Sequence, residues 1–413
     1  MSSHVVSAHG AEPPRASDLE RLYLTADAAA AALGVSLASL YAYVSRKGIR
    51  SQPIPGKRAR LYWREDIERL SSGRPEQRLL PSDSILVPDT KLTLITENGL
   101  YFQGRSAFAL SADKTLEDVA ALLWGQERDT IFPDTGPVLP TGVREVRAAL
   151  SGLPFSVQAI SLLSVLEASS TRNYDQTAAG FAAVSAQLLR WYASMVVGIE
   201  QPTAEPIHLV LARGLAAPDG YEDIIRRILV LFADHELTAA TYAVRAVANT
   251  GCTPYQAVMT GLIASRGRRI AESRAPSVRR MVQEILAETD PSRPILERYR
   301  VGERIPGFSH YMYKNGDARA RALLPLLRER LAGDDLFRRL FRAIDVAHDE
   351  IGVEPDLSLL SYAVEARLGF PDRESSFSVI ARLVGWIAHA YEQMASGPML
   401  RLRTAYTGPL PGQ

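Results

Sequence analysis

The chain has 413 residues, 46% hydrophobic and 23% charged, with 47 Lys and Arg against 46 Asp and Glu for a net charge of +1. That length holds one large domain and a small one, and the even charge balance excludes a chain that is a polyanion binder along its whole length. Cys252 is the only cysteine, which excludes an internal disulfide framework and a cysteine-built zinc site and fits a reducing compartment. No apolar run approaches the roughly 18 residues of a membrane span, and Met1 to Glu12 lacks the basic-then-apolar pattern of a secretory signal. A cytoplasmic protein with no membrane partner, no metal and no bound cofactor is expected.

Residues 1–20 are small, polar and proline-containing and read as a disordered tail. Residues 21–75 read as a compact unit. Thr25 caps a helix over Ala26–Leu33, Gly34-Val35 makes a tight turn, and Ser36 caps a second helix, Leu37 to Lys47, which Gly48 ends. Leu33, Val35, Leu40 and Val44 form its apolar seam. Two short extended pieces follow, around Ile54 and Leu61-Tyr62-Trp63, with Gly56-Lys57-Arg58 at their tip, and a last helix starts at Arg64. Arg46, Lys47, Arg50, Lys57, Arg58, Arg60 and Arg64 fall in this stretch with no acidic residue among them. Residues 76–84 belong to a Pro- and Gly-containing linker.

The rest, residues 85–413, reads as one body. Asn98-Gly99 between Lys91–Thr96 and Leu100–Phe102 is a hairpin signal with two positive-φ residues. Glu97 to Gly104 looks like a protease tag scar but carries an extra Gly99 mid-chain and is taken as native. Beyond it the pattern is helical. Thr115-Leu116-Glu117-Asp118 is a capping box. Ile224, Ile225, Ile228, Leu229 and Phe232 repeat at helical spacing, as do Phe377, Ile380, Leu383, Val384, Ile387 and Tyr391.

The most specific stretch runs from Ile305 to Arg321: Ile-Pro-Gly-Phe-Ser-His-Tyr-Met-Tyr-Lys-Asn-Gly-Asp-Ala-Arg-Ala-Arg. It resembles the citrate synthase signature, Gly-Phe/Tyr-Gly-His followed by Lys-Asn-x-Asp-Pro-Arg. Ala233-Asp234-His235-Glu236 is similar to that family's Ala-Asp-His-Glu, and Arg382 and Arg401 sit in stretches similar to its two further substrate arginines. The resemblance implies an all-α citrate synthase fold, with a small domain at about 268–367 and the large domain in the rest. It implies a dicarboxylate such as oxaloacetate or citrate held by His235, His310, Arg319, Arg382 and, across a homodimer interface, Arg401. It also implies coenzyme A held at Pro306, Gly307, Phe308 and Lys314. The chemistry agrees, because a dianion needs charge-assisted clamps and a keto oxygen needs donors where charge develops. His348 and His389 read as ordinary satisfied polar residues, and Cys252 as an inert core thiol.

Two departures stand out. Where the family has Pro-Leu-His-Gly-Gly-Ala-Asn after a helix, this chain has Arg268-Arg269-Ile270-Ala271-Glu272-Ser273-Arg274, with Ile270 at the histidine. The family's carboxylate base, counted back from Gly369-Phe370-Pro371, falls on Ser358, and Asp356 lies two residues earlier. His310 and Asp356 are therefore the candidate catalytic residues. Asp356 is also a helix N-cap candidate.

The N-terminal unit resembles the winged helix-turn-helix of the excisionase and MerR-like group. Ser36, Ser39, Tyr43, Arg46 and Lys47 would face bases and phosphates of duplex DNA, and Lys57, Arg58 and Arg60 would touch the backbone from a wing. Two functions follow. One is a citrate synthase-like protein that binds a dicarboxylate and an acyl-CoA, with degenerate or altered catalysis and a regulatory role through DNA. The alternative is a genuine citrate or 2-methylcitrate synthase that condenses an acyl-CoA with oxaloacetate. Separate from both is the reading of the N-terminal unit as only an interaction module on a metabolic protein.

Overall fold

The structure, a computed structural model, describes residues 22–46, 49–54, 56, 59–71, 89–267, 275–308, 313, 316–370 and 376–396. These fall into two compact units, one within residues 1–88 and the other from Asp89 onward.

In the first unit β1 (Tyr23–Leu24) leads into α1 (Ala26–Leu33) and α2 (Leu37–Arg46). β2 (Ser51–Pro53), β3 (Arg60–Trp63) and α3 (Arg64–Ser71) follow. Thr25 caps α1 through its hydroxyl, and Ser36 Oγ accepts the Ser39 backbone N–H at the start of α2. The strands form an antiparallel sheet in the order β1-β3-β2. Ala29, Ala30, Leu40, Ile49, Tyr62 and Ile67 make a small core, with Leu33, Val35 and Val44 packed against it.

The second unit opens with an antiparallel meander, β4 (Thr93–Thr96), β5 (Gly99–Phe102) and β6 (Arg105–Ser106). Thr96 pairs with Gly99, so the first turn is Glu97-Asn98 and Gly99 is already in the strand. The expected turn at Asn98-Gly99 is thus displaced by one residue. The two-residue turn with both φ values positive lies one hairpin later, at Gln103 (φ 47°) and Gly104 (φ 81°).

The remainder is helical. α4 (Ala107–Asp113), α5 (Leu116–Trp124), α6 (Arg128–Ile131), α7 (Val143–Leu150), α8 (Phe155–Ala168) and α9 (Ala178–Val196) come first. α10 (Ile207–Gly214), α11 (Tyr221–Phe232), α12 (Ala239–Ala248), α13 (Pro254–Ser265), α14 (Ala275–Ala287) and α15 (Arg293–Arg300) follow. α16 (Ala318–Leu331), α17 (Asp335–Ile351), α18 (Leu357–Arg367) and α19 (Phe377–Ala395) complete the unit. The Thr115–Asp118 capping box is formed at the start of α5. α19 is the central helix, packed against α5, α9, α11, α12 and α13, with Ile380, Leu383, Val384 and Ile387 fully buried. That is why its sequence is apolar on nearly every face. Among the described residues no single helix is long and apolar enough to cross a membrane.

Where α18 gives way to α19, the buried Glu365 accepts the Phe377 backbone N–H (3.0 Å) and the Ser361 hydroxyl (3.3 Å) on one oxygen. Arg279 stands 3.5 Å from the other. Burial pushes the Glu365 carboxyl up to about 7, against the pull of Arg279. Its folded value is raised, so it contributes stability at low pH that is lost as pH rises through about 7. Glu365→Gln keeps the acceptor and removes the buried charge. Thermal melts should show the variant level with the parent at pH 5 and more stable at pH 8; a variant less stable at pH 8 would contradict this.

Candidate functional site

Four chain segments converge on one group of polar side chains in the second unit. α11 ends at Phe232, and the chain then runs through Ala233, Asp234, His235 and Glu236 before Thr238 caps α12. Glu236 takes φ 54°, a left-handed conformation that few non-glycine residues adopt and that concentrates at functional turns. Gly385 of α19 makes the close approach possible: its N–H donates to Ala233 O (3.0 Å), and a Cβ there would stand 2.3 Å from Asp234 Oδ1.

His235 is buried, and its Nε2 lies 3.0 Å from the Tyr313 hydroxyl. Burial holds the Tyr313 phenol at about 12, so the hydroxyl keeps its proton at neutral pH. Arg319, in the first turn of α16, lies with its guanidinium 5.6 Å from the Phe232 ring and 5.6 Å from the Tyr313 ring. Asp317, the N-cap of α16, receives Arg319 Nε at 3.0 Å and Nη2 at 2.8 Å in a two-pronged pair. Burial works against the Arg319 charge, but Asp317 more than offsets it and raises the guanidinium above its ordinary value. Arg319 is therefore a fixed, permanent cation.

Asp317 also accepts the Leu357 backbone N–H (3.0 Å), which ties α16 to the start of α18. Asp356, one residue before, caps α18 by accepting the Leu359 N–H (3.0 Å), while its own N–H donates to Gly307 O (2.7 Å). Asp356 is 7% exposed. Burial, with the Asp317 charge added, pushes its carboxyl up to about 6, although the Leu359 N–H and Arg319 pull the other way. Asp356 is both a cap and a buried carboxyl that loses its proton near pH 6, within the field of Arg319.

On α19, Arg382 reaches to within 3.6 Å of Asp234 Oδ1. Asp234 is fully buried; desolvation would raise it, but His389, Arg382 and the Thr93 hydroxyl hold it below the ordinary carboxylate range. It is an anion at any ordinary pH.

The fold therefore places His235, Arg319, Arg382 and Asp356 on the elements that meet here. His310, Lys314 and Arg401, and the 268–274 loop with Ile270, lie outside the described residues. Gly307 contributes its carbonyl to Asp356, and Pro306 is half-buried beside it. Phe308, at the end of the same described segment, is 1% exposed and its ring packs in the core. Tyr313, Asp317, Asp234 and His389 carry no assigned role in the sequence. The first three lie inside the quoted motifs, so their position was the available signal. Among the described residues no group of three or more His, Cys, Asp or Glu is placed to hold a metal.

In the first unit, Ser36 and Ser39 are hydrogen-bonded to each other (3.0 Å) at the start of α2, and Tyr43 is exposed on it. Arg60 is held by Ser51, its Nε on the hydroxyl and Nη2 on the carbonyl, each at 3.0 Å. One charge of the basic stretch is balanced from just beyond it: Arg50 is paired with the buried Asp66 through Nε and Nη2, each at 3.0 Å. Lys47, Lys57, Arg58 and the Arg46 side chain lie outside the described residues.

The family model for the citrate synthase C-terminal domain matches residues 82–403. The chain is 27% identical to a citrate synthase of Haloferax volcanii over 79% of this chain and 94% of that one. It is 25% identical to a 2-methylcitrate synthase of Shewanella oneidensis over 77% and 91%. Its match to citrate synthase 2 of Bacillus subtilis is 29% identical but spans only 51% of that protein. Among solved structures, the citrate synthase of Thermoplasma acidophilum in ternary complex with carboxymethyl coenzyme A and oxaloacetate superimposes with a TM-score of 0.66. The identity is 18%, over 80% of this chain and 96% of that one, a likeness of fold. The citrate synthase of Thermotoga maritima gives 0.64 at 20% identity, over 80% and 96%.

Proposed function

The chain belongs to the citrate synthase family, and from that premise we propose that it condenses an acyl-CoA thioester with oxaloacetate to give citrate or 2-methylcitrate. Arg319 and Arg382 take the two carboxylates. Arg319 spends its Nε–Nη2 edge on Asp317, so it meets the ligand end-on, already oriented. His235, His310 and the Tyr313 hydroxyl lie in the segments that supply donors to the keto oxygen. Asp356 removes a proton from the carbon next to the thioester, the resulting enol attacks the keto carbon, and water then cleaves the thioester to release coenzyme A. The observation that carries this reading is Asp356: a buried carboxyl pushed to about 6, beside the Arg319–Asp317 pair, is a base matched to neutral pH. The family's base position falls on Ser358, and Asp356 takes over the work from the N-cap. A homodimer, with Arg401 lent by the partner and coenzyme A near Gly307 and Lys314, completes the proposal. Incubation with oxaloacetate and acetyl-CoA or propionyl-CoA should give the matching tricarboxylate by mass spectrometry; recovery of both substrates unchanged would rule it out.

A second reading keeps the dicarboxylate site and drops the turnover. It is favoured by Ile270, which has no donor where the family places a histidine. In this reading the N-terminal unit reports occupancy to duplex DNA. Its α1 and α2 cross at 91° around a short Gly-containing turn, an angle within the range of helix-turn-helix units. Lys57→Ala with Arg58→Ala should then weaken DNA binding about equally on all sequences and lower the salt slope by about one unit per lost phosphate contact. Retardation of duplex fragments that is insensitive to this change, or absent, would remove the reading.

A further inference from the structure

Behind the proposed pocket lies a buried polar chain with no assigned role: Arg245, His389 and Asp234. Arg245 Nη1 stands 3.2 Å from His389 Nδ1. A guanidinium donates and cannot accept, so Nδ1 is the bare nitrogen and the imidazole proton sits on Nε2. That N–H faces Asp234 Oδ2 at 3.2 Å and donates to it. The hydrogen bonds thus run one way, from Arg245 to His389 to Asp234. They do so only with a neutral imidazole, since an imidazolium would set an N–H against the guanidinium.

Each end of this chain is fixed. Arg245 also donates to Glu392 Oε2 (2.6 Å), Gln393 Oε1 (3.0 Å) and Asp89 O (3.3 Å). Glu392 Oε1 in turn accepts the Lys91 backbone N–H (2.7 Å). Asp234 Oδ2 collects the Thr93 hydroxyl (2.6 Å) and the Glu236 backbone N–H (3.2 Å). The last bond spans from a side chain to the N–H two residues on, the link by which Asp stabilises turns. Here it holds Glu236 at φ 54° and so sets the path of the chain immediately after His235. The other oxygen, Oδ1, stands 3.6 Å from Arg382 Nη1. One carboxylate thus addresses two groups of the pocket, His235 through the backbone and Arg382 through charge.

We propose that Asp234 is a positioning residue, kept in orientation by His389 and Arg245, that sets His235 and Arg382 at the spacing the dicarboxylate requires. The inference rests on the reading of the pocket as a dicarboxylate site. It explains why a histidine is fully buried on α19 and why Gly385 stands opposite Asp234.

The test is calorimetric titration of oxaloacetate into the full-length protein and three variants. His389→Leu removes both the acceptor for Arg245 and the donor for Asp234. It should weaken binding by about tenfold or more, the scale of one lost charge-assisted hydrogen bond. His389→Gln can accept from Arg245 through its oxygen and donate to Asp234 through its nitrogen, so it should stay within about threefold of the parent. Asp234→Asn should weaken oxaloacetate by about tenfold. In turnover it should raise the KM for oxaloacetate and leave that for the acyl-CoA unchanged. If all three variants bind like the parent, or if both KM values rise together, the inference is overturned while the site reading stands. If the parent itself binds no oxaloacetate, the site reading falls, and the inference with it.

Discussion

Replacing Asp356 by Asn should lower the condensation rate by about 10²–10⁴-fold, the usual worth of a general base, without destabilising the protein. Asn keeps an oxygen to accept the Leu359 N–H, so the cap of α18 survives. It loses only the ability to take a proton. The stability argument has a definite sign. The folded carboxyl is raised to about 6, so its contribution is fully present below the ordinary aspartate value and is lost as pH rises through about 6. At pH 7.5 the parent therefore carries a buried, disfavoured charge that the Asn variant lacks. That charge costs the parent on the order of 1–3 kcal/mol. The variant should melt at the same temperature as the parent, or higher, at pH 7.5, and equal to it near pH 4. The parent's rate should fall below pH 6 as Asp356 becomes protonated. A variant that keeps full rate, or that loses rate only in step with its stability, would show that Asp356 is a cap alone.

Arg319→Ala should weaken oxaloacetate binding by about ten- to a hundredfold, because it removes charge-assisted hydrogen bonds worth roughly 1.5–3 kcal/mol. The same change should also destabilise the fold, by about 3–5 kcal/mol, because Asp317 is left as a buried charge without its partner. These two effects are separable. Asp317→Asn added to Arg319→Ala removes the stranded charge and keeps an acceptor for the Leu357 N–H. The double variant should recover most of the stability and none of the affinity. Calorimetry and thermal melts on the three proteins decide it; affinity that returns with stability would place Arg319 in the scaffold and not in the pocket.

The helical body is legible in the sequence because its signals are local. The Thr115–Asp118 capping box and the apolar run of Phe377–Tyr391 depend on neighbours a few residues apart. The positive-φ turn is misplaced because Asn98-Gly99 has the right residues, whereas Gln103-Gly104 has one unlikely one; strand register decides between them. In the site, Arg319, Arg382 and His235 are marked by family motifs. What no local pattern carries is pairing across long separations. Asp234 meets His389 across 155 residues and Thr93 across 141, and Arg50 meets Asp66 across 16, cancelling charge that the local count leaves unbalanced. Asp356 is visible in the sequence, but its role depends on burial beside Asp317 and Arg319, which no spacing reveals.

The most direct measurement is the initial rate of thiol release from acetyl-CoA and propionyl-CoA by the full-length protein, with and without oxaloacetate. The proposed chemistry requires release that depends on oxaloacetate. With Ile270 in place of a donor, it should run about 10²–10³-fold slower than a site with its full set of hydrogen bonds to the developing enolate. Release equal with and without oxaloacetate would mean simple thioester hydrolysis, and no release above the blank would mean a pocket that binds without turning over; either result contradicts the condensation.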